Sequence, residues 1–371
     1  MKKTESVSLF LKNMRNVLEN TKIDLTANGS GLVERVFFRG QNAIYEDTSN
    51  VASIFRKKPS FSYTNEYSYT DEYIRTNPTK FNNLENDFSR LSYMQHYGLP
   101  TRLIDVTTNS LVALYFACLP QTKSKIENNK IKEVEQDGVV SIFISNSTQN
   151  TEHSGDTNIH TLYNHRSDTV AILSTLALMD EQKKALVYQK IKEFNQKISN
   201  LGNDLFYKKW YMDKVGKFPI GFYSSLDCQE KSLYDEIQQK YDEINGSYAV
   251  RCLYHDLKRD LGYFDRVIDF RGLIHPFFVE PSINSERLKA QSGFFLFEPY
   301  DGADLSVQEI RDDVLSKLGK DSVGKELKIV IPAASKSDIL KELDYFCGIN
   351  KAKLFPDEEN AAHYISENFI G

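Results

Sequence analysis

Cysteine is scarce in this chain and scattered. The four, Cys118, Cys228, Cys252 and Cys347, are widely scattered and form no CxxC, which argues against a disulfide framework or a zinc module and favours reduced packing residues. Long apolar runs are missing too. The opening "MKKTESVSLFLKNMRNVLEN" breaks its apolar stretch with Ser, Lys, Asn and Arg, so it reads as an amphipathic helix rather than a signal peptide. No later window approaches the roughly 20 apolar residues of a membrane span, and the expected location is the cytoplasm, with no membrane partner. Basic runs are equally absent. With a net charge of -5 and a pI near 5.9, the chain offers no general tether for nucleic acid, although a local basic pocket stays compatible with that balance. No internal repeat is visible.

What is present is a globular composition: 371 residues, 40% hydrophobic and 12% aromatic, enough for one elaborated domain or two smaller ones. After the first helix, "ANGSG" (Ala27 to Gly31) is a flexible joint and "LVERVFFRG" a strand. The segment from Ser49 to Asn77 is rich in Ser, Tyr, Thr and Asn, with "KPSF" extended. "TKFNNLENDFSRLSYMQHYG" repeats apolar residues at helical spacing and stops at Gly98; "LPTRLIDVTT" follows as a turn and short strand. "NSLVALYFACL" is a buried helix capped by Asn109 or Ser110, and "GVVSIFISN" is a strand. Long helical patterns fill about Thr157 to Leu261. Strands resume with "DRVIDFRGLIHPFFVEP", "GFFLFEP" and "LKIVIPA", and two helices close the chain. The division is therefore residues 1–30, an N-terminal helical segment; 31–150, the first part of the core; 151–265, a helical insertion; and 266–371, the second part of the core.

Three polar clusters sit where strands end. In Arg39-Gly40-Gln41 a planar guanidinium fork suits phosphate or carboxylate, and the glycine permits close approach to the backbone. Taken alone, the triplet fits a strand-end arginine in a buried ion pair better. In "YMQHYGLPTRLIDVTTNS", Gln95, His96, Arg102, Asp105, Thr107 and Thr108 crowd one turn and one short strand; alternation puts Arg102 and Ile104 on one face and Leu103 and Asp105 on the other. Some of these groups must be buried and bonded to each other; whether they wall a site or fix the fold is evenly balanced on the motif alone. In "INSERLKAQSGFFLFEP", Gln291 and Gly293 precede a strand, which a helix C-terminus with a glycine cap would also explain.

Together, "FFRGQ", "LSYMQHYGLPTRLIDVTTNSLVALYFAC", "RLKAQSGFFLFEP" and "GINKAKLFPD" resemble the FRG domain family, named for its Phe-Arg-Gly triplet, over about Val36 to Ile144 and again over Ile283 to Asp357. The order of elements in turn looks like the ADP-ribosyltransferase fold. That resemblance implies an α+β fold: a mixed, ADP-ribosyltransferase-like split β-sheet core with flanking helices and a large helical insertion. It implies NAD as substrate, held by Arg39, with Thr107 and Thr108 shaping the nicotinamide pocket and a catalytic glutamate near Gln291. Here positions 291 to 293 read Gln-Ser-Gly. Breaking the nicotinamide bond passes through an oxocarbenium-like state that a carboxylate stabilises far better than an amide. Asp105 is the preferred substitute and Glu280 another. The candidate catalytic residues are thus Asp105, His96 and Gln291, and the candidate cofactor-binding residues Arg39, Gly40, Gln41, Arg102, Thr107 and Thr108. The implied function is an NAD-dependent toxin or phage-defence effector acting on nucleic acid or protein, with an antitoxin or other protein as partner. The alternatives are a non-catalytic nucleotide- or phosphate-binding sensor, and a structural protein whose polar clusters fix the fold.

Overall fold

The computed structural model describes residues 4–19, 35–45, 49–56, 66–127, 130–145, 162–201, 204–216, 218–262, 264, 268, 270–283, 285–299, 310–312, 314, 319 and 324–369. The joint at Ala27–Gly31 and the extended Lys58–Phe61 lie outside them. Nine strands are described: β1 (Arg35–Gln41), β2 (Leu103–Thr107), β3 (Thr122–Glu127), β4 (Lys130–Glu135), β5 (Gly138–Ser145), β6 (Leu162–Asn164), β7 (Phe277–Glu280), β8 (Gly293–Phe297) and β9 (Lys328–Ile331). Seven of them form one mixed sheet in the order β6-β7-β8-β2-β1-β5-β9, antiparallel throughout except for β6 and β7. β3 and β4 make a separate hairpin. The fold is therefore mixed α+β.

Pairing is uneven across the sheet. β1 matches β5 over its whole length, but one bridge, Phe38 to Thr107, joins β1 to β2. The strands part beyond that point. The arginine and glycine that follow Phe38 stay paired to β5, at Ser141 and Val140, with no further described bridge to β2.

Helices cover one face in two groups. Over β1, β5 and β9 lie α1 (Val7–Glu19), α5 (Ser110–Cys118) and, late in the chain, α12 (Lys336–Cys347), burying Phe38, Val140, Ile142, Ile329 and Ile331. Asn109 caps α5 by accepting from Leu111 N–H at 3.0 Å, as the motif predicts. Over β2, β7 and β8 lie α4 (Asp87–His96) and the helices of the central block, α6 (Asp168–Leu178), α7 (Glu181–Asn200), α8 (Asp204–Lys214), α9 (Cys228–Gly246) and α10 (Tyr248–Leu261). Leu103, Phe277, Phe295 and Phe297 of the sheet share one core with Val187, Trp210, Ile237 and Leu253 of those helices. The helical block is thus a packed layer of the same core, and it also supplies the short edge strand β6.

The opposite face is covered differently. Phe37, Ile104, Val106, Phe143, Phe278 and Leu296 pack beneath Val51, Ala52, Ile54 and Phe55, with Ile310 and Val314 beside them. Consecutive residues of β1 therefore enter different cores: Phe38 goes under α5, and Phe37 stacks on Phe278 at 4.4 Å on the other side.

Local capping corrects two of the expected helices. The helix expected across residues 79–98 is instead α3 (Pro78–Phe81) and α4, because the Asn86 side chain accepts from Ser89 N–H at 2.8 Å and starts a new helix there. Within the long helical patterns of about Thr157 to Leu261, α6 and α7 are separated where Asp180 caps Gln182 and Lys183. The remaining helices are α2 (Glu66–Thr76), α11 (Glu286–Ala290), α13 (Lys351–Leu354) and α14 (Glu358–Phe369). No helix among the described residues is long and apolar enough to cross a membrane. All four cysteines are free; burial pushes Cys118 up to about 12, while Cys228 is exposed rather than packed.

Candidate functional site

Beneath β2 and β8, against α4 and α11, lies a cavity of about 320 Å³. One face of α4 supplies Phe88, Ser92, Gln95 and His96, residues three, four, seven and eight apart that helical geometry aligns. Asp105 enters from β2, Phe295 from β8, and Arg287, Leu288 and Gln291 from α11 and its end. Tyr93 and Tyr97, one helical turn apart with ring centroids 4.6 Å from each other, form an aromatic rim.

The polar groups are held in place by their neighbours. Asp105 is exposed, and its carboxylate accepts from Gln95 Nε2 at 2.9 Å; Gln95 Oε1 in turn accepts from Thr101 Oγ1 at 2.7 Å. Arg287 lies over the Phe355 ring, 4.6 Å from its centroid. Burial and the Arg287 charge hold the His96 imidazole below its usual pKa, against the opposing pull of Asp105 and Asp357. His96 is therefore neutral at pH 7 and able to accept a proton.

Gln291 reaches the cavity but spends its amide elsewhere. Its Nε2 donates to the Leu354 carbonyl at 2.9 Å and its backbone carbonyl accepts from Thr107 Oγ1 at 2.7 Å, so it ties α13 to the end of β2. Ser292 follows with φ of 47°, and its carbonyl accepts from the N–H of exposed Thr108 at 3.2 Å. Thr107 and Thr108 thus fasten β2 to the Gln-Ser-Gly turn.

The other candidates lie away from the cavity. Arg39 points to the face away from the cavity, as Phe37 does, and its Nη1 donates to the Asp105 carbonyl at 2.6 Å. Gly40 faces α5. A Cβ there would lie 1.8 Å from the Ala113 carbonyl oxygen, so the glycine admits a helix rather than a ligand. Gln41 is buried, and its Oε1 accepts from Ser49 Oγ at 3.2 Å. Arg102 is fully buried, donating to Glu66 at 2.7 Å and to the Pro299 carbonyl at 3.1 Å; Lys184 of α7 bonds the same Glu66 oxygen at 2.7 Å. Glu280 pairs with Arg35 at 3.6 Å and is not part of the cavity wall.

His96, Asp105 and Gln291 are thus brought together, while Arg39, Gln41 and Arg102 are placed on the far side of the sheet. The family comparison bears on both groups. Residues 34–126 match the family model of the FRG domain. This chain carries an FRG domain. The matched stretch runs from β1 into β3 and contains every candidate named above except Gln291 and Glu280, so the FRG domain contributes both Arg39 and the α4–β2 wall of the cavity. No curated protein and no solved structure matches the chain.

Sequence reasoning left four contributors out of the candidate set. Tyr93 and Tyr97 carry a helical i, i+4 signal inside the quoted motif and were open to detection. Arg287 stands one turn before Gln291, a weaker signal. Arg56, beside Arg39, follows "SIF" with no periodicity or motif to mark it.

Proposed function

We propose that the cavity binds the nicotinamide-ribose end of NAD and that the protein is an ADP-ribosyltransferase-like effector whose acceptor is a nucleic acid or a protein. The observation that carries this reading is the meeting of His96 and Asp105 with Gln291, nearly two hundred positions later, around one aromatic-rimmed cavity. Its volume lies at the small end of the ~300–1,000 Å³ of ligand sites, room for one half of a dinucleotide. Tyr93, Tyr97, Phe88 and Phe295 suit a planar ring, and Arg287 suits a phosphate.

Asp105 takes the carboxylate role. Held by Gln95, it accepts from a ribose hydroxyl and favours the positive charge that grows at the anomeric carbon as the nicotinamide nitrogen departs with the bonding electron pair. The acceptor's nucleophile bonds to that carbon, and neutral His96 takes its proton. Gln291 is a positioning residue here, since its amide holds the Leu354 carbonyl. That same commitment of the amide, with Asp105 as the one carboxylate in the wall among the described residues, favours the second reading: a sensor that binds a nucleotide without cleaving it.

The test is incubation of wild type and Asp105→Asn with NAD labelled on its adenylate half, in cell extract. The enzyme reading expects nicotinamide release and label transfer from wild type and a loss of at least a hundredfold in the variant, with NAD binding retained. Binding without nicotinamide release selects the sensor. Absence of NAD binding by wild type overturns the enzyme reading.

A further inference from the structure

Arg39 and Arg56 stand beside each other on the face opposite the cavity, close enough that the Arg56 charge, after burial itself, contributes to pushing Arg39 down to about 10. Neither forms an ion pair among the described residues. Arg39 Nη1 donates to the Asp105 carbonyl at 2.6 Å, and Arg56 Nε donates to the Val51 carbonyl at 2.9 Å. Arg39 Nε is enclosed and has no hydrogen-bond partner. The nearby carboxylate, Glu298, is itself buried, and both its oxygens accept from Ala52 N–H at 3.2 Å. Two guanidiniums thus share the field of Glu298 and of Asp105 without a direct ion pair to either among the described residues, and burial without such a pair costs stability unless something else supplies negative charge.

The chain goes to some length to bring Arg56 there. Gln41 Oε1 holds Ser49; Asn50 takes a φ of 59° and its Nδ2 donates to Ser141 Oγ at 3.2 Å; Ile54 N–H donates to the Thr101 carbonyl at 3.3 Å. Val51, Ala52, Ile54 and Phe55 are buried along the same segment. Arg56 therefore emerges from an anchored stretch of backbone, half-buried like Arg39, with the rest of each planar fork uncommitted among the described residues.

We propose that Arg39 and Arg56 form a second ligand site, a two-guanidinium clamp for a phosphate-class oxyanion on the face of the sheet away from the cavity. The clamp stands on its own geometry and does not require NAD in the cavity, from which the Asp105 backbone separates it. The oxyanion's source is either the diphosphate of a nucleotide or a small inorganic phosphate.

Calorimetric titration of the full chain with inorganic pyrophosphate and, separately, with ADP-ribose tests this, alongside thermal unfolding without ligand. Pyrophosphate is expected to bind wild type, and Arg56→Gln to weaken it at least tenfold while leaving the unliganded melting temperature equal or higher, since a repelling charge has gone. Arg56→Lys keeps the charge without the fork; it should lose affinity severalfold at the wild-type melting temperature, and serves should the glutamine variant fail to fold. Tighter binding of ADP-ribose than pyrophosphate, lost by the same factor in the variants, identifies a nucleotide; equal or weaker binding identifies a free phosphate. The clamp is overturned if wild type binds neither probe, or if both variants bind like wild type.

Discussion

Arg39 and Asp105 meet back to back across the sheet: the guanidinium donates to the Asp105 carbonyl at 2.6 Å from one face, while the Asp105 carboxylate accepts from Gln95 at 2.9 Å on the other. The main-chain oxygen and the carboxylate of one residue thus serve two different places. Replacing the Asp105 side chain should leave the Arg39 contact intact. Asp105→Ala is expected to change unfolding free energy by no more than about 0.5 kcal/mol, as for an exposed position, while impairing whatever the cavity does. Urea denaturation checks the first half; a loss of several kcal/mol would mean that the carboxylate holds the fold rather than the ligand.

Gly40 offers a sharper stability test. An added Cβ would lie 1.8 Å from the Ala113 carbonyl oxygen and 2.8 Å from the Ala117 nitrogen, both rigid helix backbone. Gly40→Ala must push α5 off β1, costing at least the ~1–3 kcal/mol typical of overpacking. Gly138→Ala, whose Cβ would meet the Ala117 carbonyl oxygen at 2.0 Å, should behave alike. A variant as stable as wild type would show that α5 does not press on these glycines.

Arg39 and Asp105 also mark how far the sequence can be read. Val36 to Phe38 is legible as a strand because β-branched and aromatic residues favour the pleat, and Asn109 is legible as a cap because its side chain mimics a backbone acceptor. The meeting of His96 with Asp105 is nearly local, nine positions apart, and follows from α4 running into β2. Gln291 joins them only because β8 pairs with β2, a long-range choice that no local pattern encodes. The faces of Arg39 and Asp105 could not be related beforehand, since alternation gives parity within one strand but not the register between two. Arg102 illustrates the same limit: its partners Glu66 and Lys184 come from α2 and α7, and nothing in "PTRLID" announces them.

Arg102 is the place to measure what that buried network contributes. Burial raises the Glu66 carboxyl, but Arg102 and Lys184 outweigh it and hold the pKa below the ordinary range, so the site keeps its charges. Arg102→Met should destabilise by about 3–5 kcal/mol, the usual cost of breaking a buried pair from one side. Combining it with Glu66→Gln should cost less than the sum of the two single changes, because each then removes a charge the other no longer needs. Strict additivity in a double-mutant cycle, read from urea denaturation, would argue that Arg102 acts mainly through its other contacts.

The pH dependence of stability should carry the mark of Asp260. Its Oδ1 accepts from Asp87 N–H at 2.9 Å and its Oδ2 is buried without a partner; burial first, then the Asp87 charge, push its pKa up to about 6, against the pull of that N–H bond and of Arg90. In the unfolded chain an aspartate titrates near ~3.9. Between those values the folded protein keeps a proton that the unfolded chain has shed, so this contribution is fully present below the unfolded pKa and lost as pH rises through about 6. At neutral pH the ionised Asp260 therefore works against the α4–α10 contact. Asp260→Asn keeps an oxygen for the Asp87 N–H and removes the charge. Thermal unfolding should find the variant more stable than wild type near ~pH 7.5, with the gap closing toward ~pH 4.5. A gap that does not change with pH, or a variant less stable throughout, would assign the unpartnered oxygen a different role.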